Sequence, residues 1–172
     1  MRELGELEAA ARQFEQAVTL YRANSEPPLK IAMTLSNLAD VQRSLGLLRQ
    51  AEQHANDAVT MARDTAIDNP ALLATALTTL GNVRMAHDDL SGAESHYRES
   101  YELYQAAFGV DHPRLIAPGY NLAVVLERQL GCEAASPGLV RVLAIAQRHL
   151  AENHPQVRAM EQLSRRCNAQ AQ

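Results

Sequence analysis

Four prolines, Pro28, Pro70, Pro113 and Pro155, recur at intervals of 42, 43 and 42 residues, and the same helical pattern repeats between them. A period of this length is the mark of a tandem array in which each unit is one supersecondary element. Such a unit cannot bury its apolar face alone, so neighbouring units complete each other's core. The spacing therefore points to a scaffold built by repetition and away from an enzyme.

Aligned at 42 residues, Leu38-Ala39 falls on Leu80-Gly81 and on Leu122-Ala123, and Ala51 falls on Ala93 and Ala135. Four residues on come Ala55, Tyr97 and Leu139, then Ala58, Ser100 and Val142. This i, i+4, i+7 stripe is one face of a helix. Each copy thus holds two helices, the first starting near its proline and ending near Gly46, Asp88-Asp89 or Leu130-Gly131. Asp68, Asp111 and Asn153, just upstream of the prolines, are the expected caps, and Asp88-Asp89 is expected to cap the next helix. The predicted helices cover about 7–24, 28–46, 48–67, 70–88, 90–108, 112–130, 136–151 and 155–168. Small residues at Ala39, Gly81 and Ala123, facing Ala51, Ala93 and Ala135, allow the two helices of a copy to cross closely.

The composition suits this plan. A chain of 172 residues that is 47% hydrophobic, with no Trp and two Phe, must build its core from Ala and Leu. Its net charge of −4 argues against nucleic acid as a ligand, because phosphate binding needs a basic face. No apolar run resembles a signal peptide or a membrane span, so a cytoplasmic protein without membrane partners is expected. Cys132 and Cys167 lie far apart in unlike contexts and are expected to be reduced bystanders.

A search for chemistry returns little. His112 and His154 each precede a proline, His54 and His96 are related by the period, and His87 and His149 have no partner at i+4. No ligand set, phosphate loop or nucleophile motif can be assembled, so no metal, cofactor or catalysis is expected.

The sequence resembles the tetratricopeptide repeat family, whose signature is matched by Leu80-Gly81, Ala93-x3-Tyr97 and Pro113. The longer period and the His-Pro steps in Gly109-Val110-Asp111-His112-Pro113 and Asn153-His154-Pro155 are similar to the repeats of kinesin light chains and bacterial relatives. The resemblance implies an all-α, right-handed α-solenoid of stacked antiparallel helix hairpins. A single array is expected over 1–172: a partial repeat at 1–27 in which Gly5, Ala10, Phe14 and Ala17 match a turn and second helix, repeats at 28–69 and 70–112, a degenerate repeat at 113–154, and a polar capping helix at 155–172.

Departures are visible as well. The expected aromatic is replaced by Gln42, Arg84 and Leu126, and Leu35 and Leu77 give way to Gly119. In the third copy Pro118-Gly119 interrupts the first helix, Ser136-Pro137-Gly138 delays the second, and Ser136 is expected to cap it.

The resemblance further implies that the first helices line a concave groove for a peptide or partner protein. It nominates Met33, Ser36, Asn37, Asp40, Arg43 and Ser44 in the first copy. In the second it nominates Thr75, Thr78, Thr79, Asn82, Met85 and Ala86, and in the third Ala117, Tyr120, Asn121, Val124, Glu127 and Arg128. Of these, Asn37, Asp40, Arg43, Thr79, Asn82, Tyr120, Asn121, Glu127 and Arg128 form the expected site, with amides suited to hold a peptide backbone. Two alternatives stand beside this reading. In one, the N-terminal helix presents Leu4, Leu7, Phe14 and Val18 to an identical copy. In the other, the chain is a regulatory segment of a larger signalling protein or ATPase.

Overall fold

A computed structural model describes residues 2–65 and 69–170. The described residues form eight α-helices: α1 (Arg2–Ala23), α2 (Pro28–Ser44), α3 (Leu48–Asp64), α4 (Pro70–Ala86), α5 (Leu90–Phe108), α6 (Ile116–Leu130), α7 (Cys132–His149) and α8 (Pro155–Gln170). A single 3-10 turn, Pro113–Leu115, precedes α6. The chain divides into two compact units, Met1–His96 and Tyr97–Gln172, with the division falling inside α5.

Local chemistry sets the helix ends. Pro28 and Pro70 open α2 and α4 at positions where a missing N–H costs nothing and the ring pre-sets a helical φ. The capping side chain is the one directly before the proline. Asn69 Oδ1 accepts from the Leu72 amide at 3.1 Å, His112 Nδ1 from Arg114 at 3.2 Å, and His154 Nδ1 from Gln156 at 3.3 Å. These residues, and not the expected Asp111 and Asn153, hold the orphan amides, because only the residue at the cap itself reaches back to them. Asp68 lies outside the described residues. Asp111 is engaged elsewhere: its carboxylate accepts from Arg148 at 2.7 Å and its carbonyl from the ring of His149 at 3.0 Å.

At α5, Asp89 does cap, its carboxylate accepting the Gly92 amide at 2.9 Å. A Cβ on Gly92 would fall onto that carboxylate, so a larger residue there would have to displace the capping side chain. Gly46, Asp88 and Gly131 end their helices with φ of +76°, +62° and +87°, the left-handed turn that frees the chain to reverse. Gly5, aligned with Gly46, instead lies within α1, which starts at Arg2.

In the first unit α2 packs on α1, α3 and α4, and α3 packs on α4. Leu35, Leu38, Leu77 and Leu80 are buried there, each contributing about 1.5–3 kcal/mol of apolar burial. In α1 the buried side chains are Ala11 and Val18, whereas Ala10, Phe14 and Ala17 are only half-buried. Val18 is thus a core residue and not part of an outward face. In the second unit α6 packs on α7 and α7 on α8. Across the second helices the aligned stripe is buried throughout: Ala51, Ala93 and Ala135, then Ala55, Tyr97 and Leu139, then Ala58, Ser100 and Val142.

The third copy departs from expectation in two places. Helix α7 is not delayed by Ser136-Pro137-Gly138 but runs through it from Cys132. Ser136 is no cap, since its hydroxyl donates to the carbonyl of Cys132 at 2.7 Å inside the helix. Pro137 is exposed in the second turn of α7, where it forfeits the one intrahelical bond its N–H would have made.

The cysteines are a second correction. Cys132 and Cys167 are joined by a disulfide, with Cα atoms 5.1 Å apart. Their separation of 35 residues along the chain is misleading, because α7 and α8 fold back on each other about the turn at Leu150. That turn lies midway between the two cysteines, so the ends of the hairpin meet. The buried face of α8 is Val157, Met160, Leu163 and Cys167, while Arg165, aligned with the core residue Ala39, is exposed.

Candidate functional site

Helix α2 leaves a row of side chains exposed at four-residue spacing, which places them one above another on one face. Leu29 is 38% and Met33 52% exposed, and Asn37 continues the row. Lys30 flanks it, held by Glu26 at 2.8 Å, with its ammonium 5.9 Å from the centre of the Tyr21 ring. The Asn37 side chain makes no hydrogen bond with another described residue. Its amide is therefore available both to donate and to accept.

Next along the face, Asp40 joins the two repeats of the first unit. Its carboxylate accepts from the Thr79 hydroxyl at 3.2 Å, with longer contacts of 3.5 Å to the Asn82 amide and to the Arg43 guanidinium. Thr79 is only 4% exposed, so it supports Asp40 from below and does not form an open surface. Ser36 is buried too and bonds back to Ala32. Ser44, Thr75 and Thr78 likewise donate to carbonyls one turn earlier in their own helices. Such local bonds satisfy hydroxyls without drawing them outward. Of the polar residues nominated in the first unit, the structure thus sets Asn37 outermost and ties Asp40, Arg43, Thr79 and Asn82 into one network.

In the second unit the nominated residues lie on α6. Tyr120 is half-buried, and burial raises its hydroxyl above the ordinary pKa, with Arg166 pulling the other way. Glu127 accepts from Arg166 of α8 at 2.9 Å, which ties α6 to α8. Asn121 is half-buried and engaged, and Arg128 is exposed but also engaged. Among the described residues no cluster of three His, Cys, Asp or Glu could hold a metal ion, and no helix is long and apolar enough to cross a membrane.

The positions that usually carry an aromatic are filled in three different ways. Gln42 is buried, accepting from His54 Nδ1 at 2.7 Å and donating to Glu15 at 3.4 Å. Arg84 pairs with Glu52 at 2.9 Å and with Asp89 at 3.6 Å. Leu126 is half-buried beside a cleft.

Residues 72–148 match the tetratricopeptide repeat family model. That stretch is of tetratricopeptide-repeat type. The fold of the chain is the all-α solenoid seen in solved repeats of kinesin-light-chain type. BtubC (BKLC) from P. vanneervenii superposes with a TM-score of 0.78 at 19% identity over 98% of this chain, which spans 66% of that protein. A candidate kinesin light chain from Podospora anserina with nearly identical TPR-like repeats gives 0.76 at 19% identity, covering 96% of this chain and 80% of that one. At such identity the likeness is one of fold. No curated protein sequence matches this chain.

Proposed function

We propose that the chain is a non-enzymatic interaction scaffold that holds a segment of a partner protein against its first helices. The observation that carries this reading is the exposed row on α2. Leu29 and Met33 offer an apolar footing beside an amide with no other engagement, the combination that seats an extended backbone or one helix turn. The Asp40 network fixes the neighbouring surface before a ligand arrives, which lowers the ordering cost of binding. In the second unit Tyr120, Asn121 and Arg128 serve as the corresponding contacts, with Glu127 holding α8 in place.

A titration of the full chain against its partner tests this. Asn37→Ala combined with Met33→Ala should weaken binding by about 2 kcal/mol, or roughly thirtyfold. Affinity unchanged within error would remove the α2 surface from the account. Self-association through α1 is a second reading, favoured by Leu4 and Leu20, which are 51% and 60% exposed. A sedimentation coefficient independent of concentration would exclude it.

A further inference from the structure

Two departures from the repeat template meet in the second unit. Gly119 stands where the earlier copies have Leu35 and Leu77, and Gly138 stands where they have His54 and His96. In the first copy His54 is bonded to Gln42. The counterparts of that polar pair are Gly138 and Leu126, one without a side chain and the other apolar. Space at position 119 is taken up, because a Cβ there would strike Val142 and the Tyr101 ring. Space at position 138 is not, since a Cβ there meets nothing within 4 Å.

The result is a cleft of about 270 Å3 formed by α5, α6 and α7. Its floor is Tyr101, Leu122, Leu126 and Val142, and its two charged lining residues are Arg98 and Arg141. No Asp or Glu lines it, in a chain that carries twenty acidic residues against sixteen basic ones. Arg141 is exposed and makes no ion pair with a described residue. The volume is the share of about nine liquid waters, just below the ~300–1,000 Å3 of pockets that enclose drug-sized ligands. Arg98 is engaged by another residue, so an apolar floor beside the Arg141 guanidinium, which presents forked donors to an oxyanion, selects for a compact body with one anionic head.

We propose that this cleft binds a small amphiphilic carboxylic acid, with an aryl or branched-alkyl group seated on Tyr101, Leu122, Leu126 and Val142 and the carboxylate facing Arg141. The site is independent of the α2 surface and does not rest on the interaction role proposed above. Its size fits a free acid containing one ring, which fills the recess and leaves no chain to be accommodated.

The test is an NMR titration of the full chain with 3-phenylpropionate and with its uncharged amide. The acid should give saturable shifts at the backbone amides of Tyr101, Gly119 and Gly138, and the amide should bind about tenfold more weakly. Arg141→Gln should weaken the acid by a similar factor. Gly138→Leu should abolish binding, because a side chain enters open space there, and unchanged circular dichroism would show that the variant folds. Equal affinity for acid and amide, shifts centred elsewhere, or undiminished binding to folded Gly138→Leu would overturn the proposal. So would binding of a peptide ending in phenylalanine when the free acid does not bind.

Discussion

The amide of Gln42 is one of the few buried polar groups in the first unit, and its bonds dictate the state of His54. The Gln42 nitrogen donates to Glu15, so its oxygen must accept, and the Nδ1 of His54 carries the proton. Burial lowers the pKa of His54, outweighing the opposing pull of Asp57 and Glu15. A histidine whose folded value lies below its unfolded one stabilises the fold fully above the unfolded pKa. That contribution is lost as pH falls through the folded value. An NMR titration should therefore place the His54 midpoint below the ordinary 6.5, and the first unit should lose stability on going from neutral to mildly acidic solution. A midpoint at or above 6.5 would contradict the buried arrangement. Sequence spacing related His54 to His96 but not to Gln42, since a contact between two helices depends on how they cross.

At the scale of helices, starts and stops were legible wherever one residue fixes the backbone. Pro28 and Pro70 open helices, and Gly46 and Gly131 close them. The course of α7 was not legible, because Pro137 reads as a breaker while the structure carries the helix through it from Cys132. Nor was the cysteine pairing, although the turn at Leu150 lies midway between the two, and that symmetry about a hairpin was the available signal. Closing a loop of 35 residues restricts the unfolded chain by an amount worth about 3–4 kcal/mol. Reduction should thus lower the denaturant midpoint of the second unit and increase protease access to α8, while Cys132→Ser combined with Cys167→Ser should make stability insensitive to dithiothreitol. Equal stability with and without reductant in the parent chain would show that the bond does not restrain α8. Disulfides persist in oxidising compartments and are reduced by cytosolic thiols, so the state of this pair in cells also reports where the chain resides.

For the whole molecule, the 42-residue ruler predicted the interior well, because burial follows helical periodicity. Ala51, Ala93 and Ala135 are all buried, as are Leu38 and Leu80 and the small residues Ala39, Gly81 and Ala123. Surface positions followed the ruler less closely. Thr79 shares its register with Asn37 yet is buried under Asp40, because neighbouring helices cover equivalent positions to different depths. The cleft lined by Arg98 and Arg141 was foreshadowed only by the loss of Leu at 119 and of His at 138. The central claim is that the first helices form the working surface. Site-specific photocrosslinking examines it most directly, with the reactive group placed at Asn37 on α2 or at exposed Gln53 on α3. A partner captured from position 37 and not from position 53 is the predicted result, and capture from position 53 alone would contradict it.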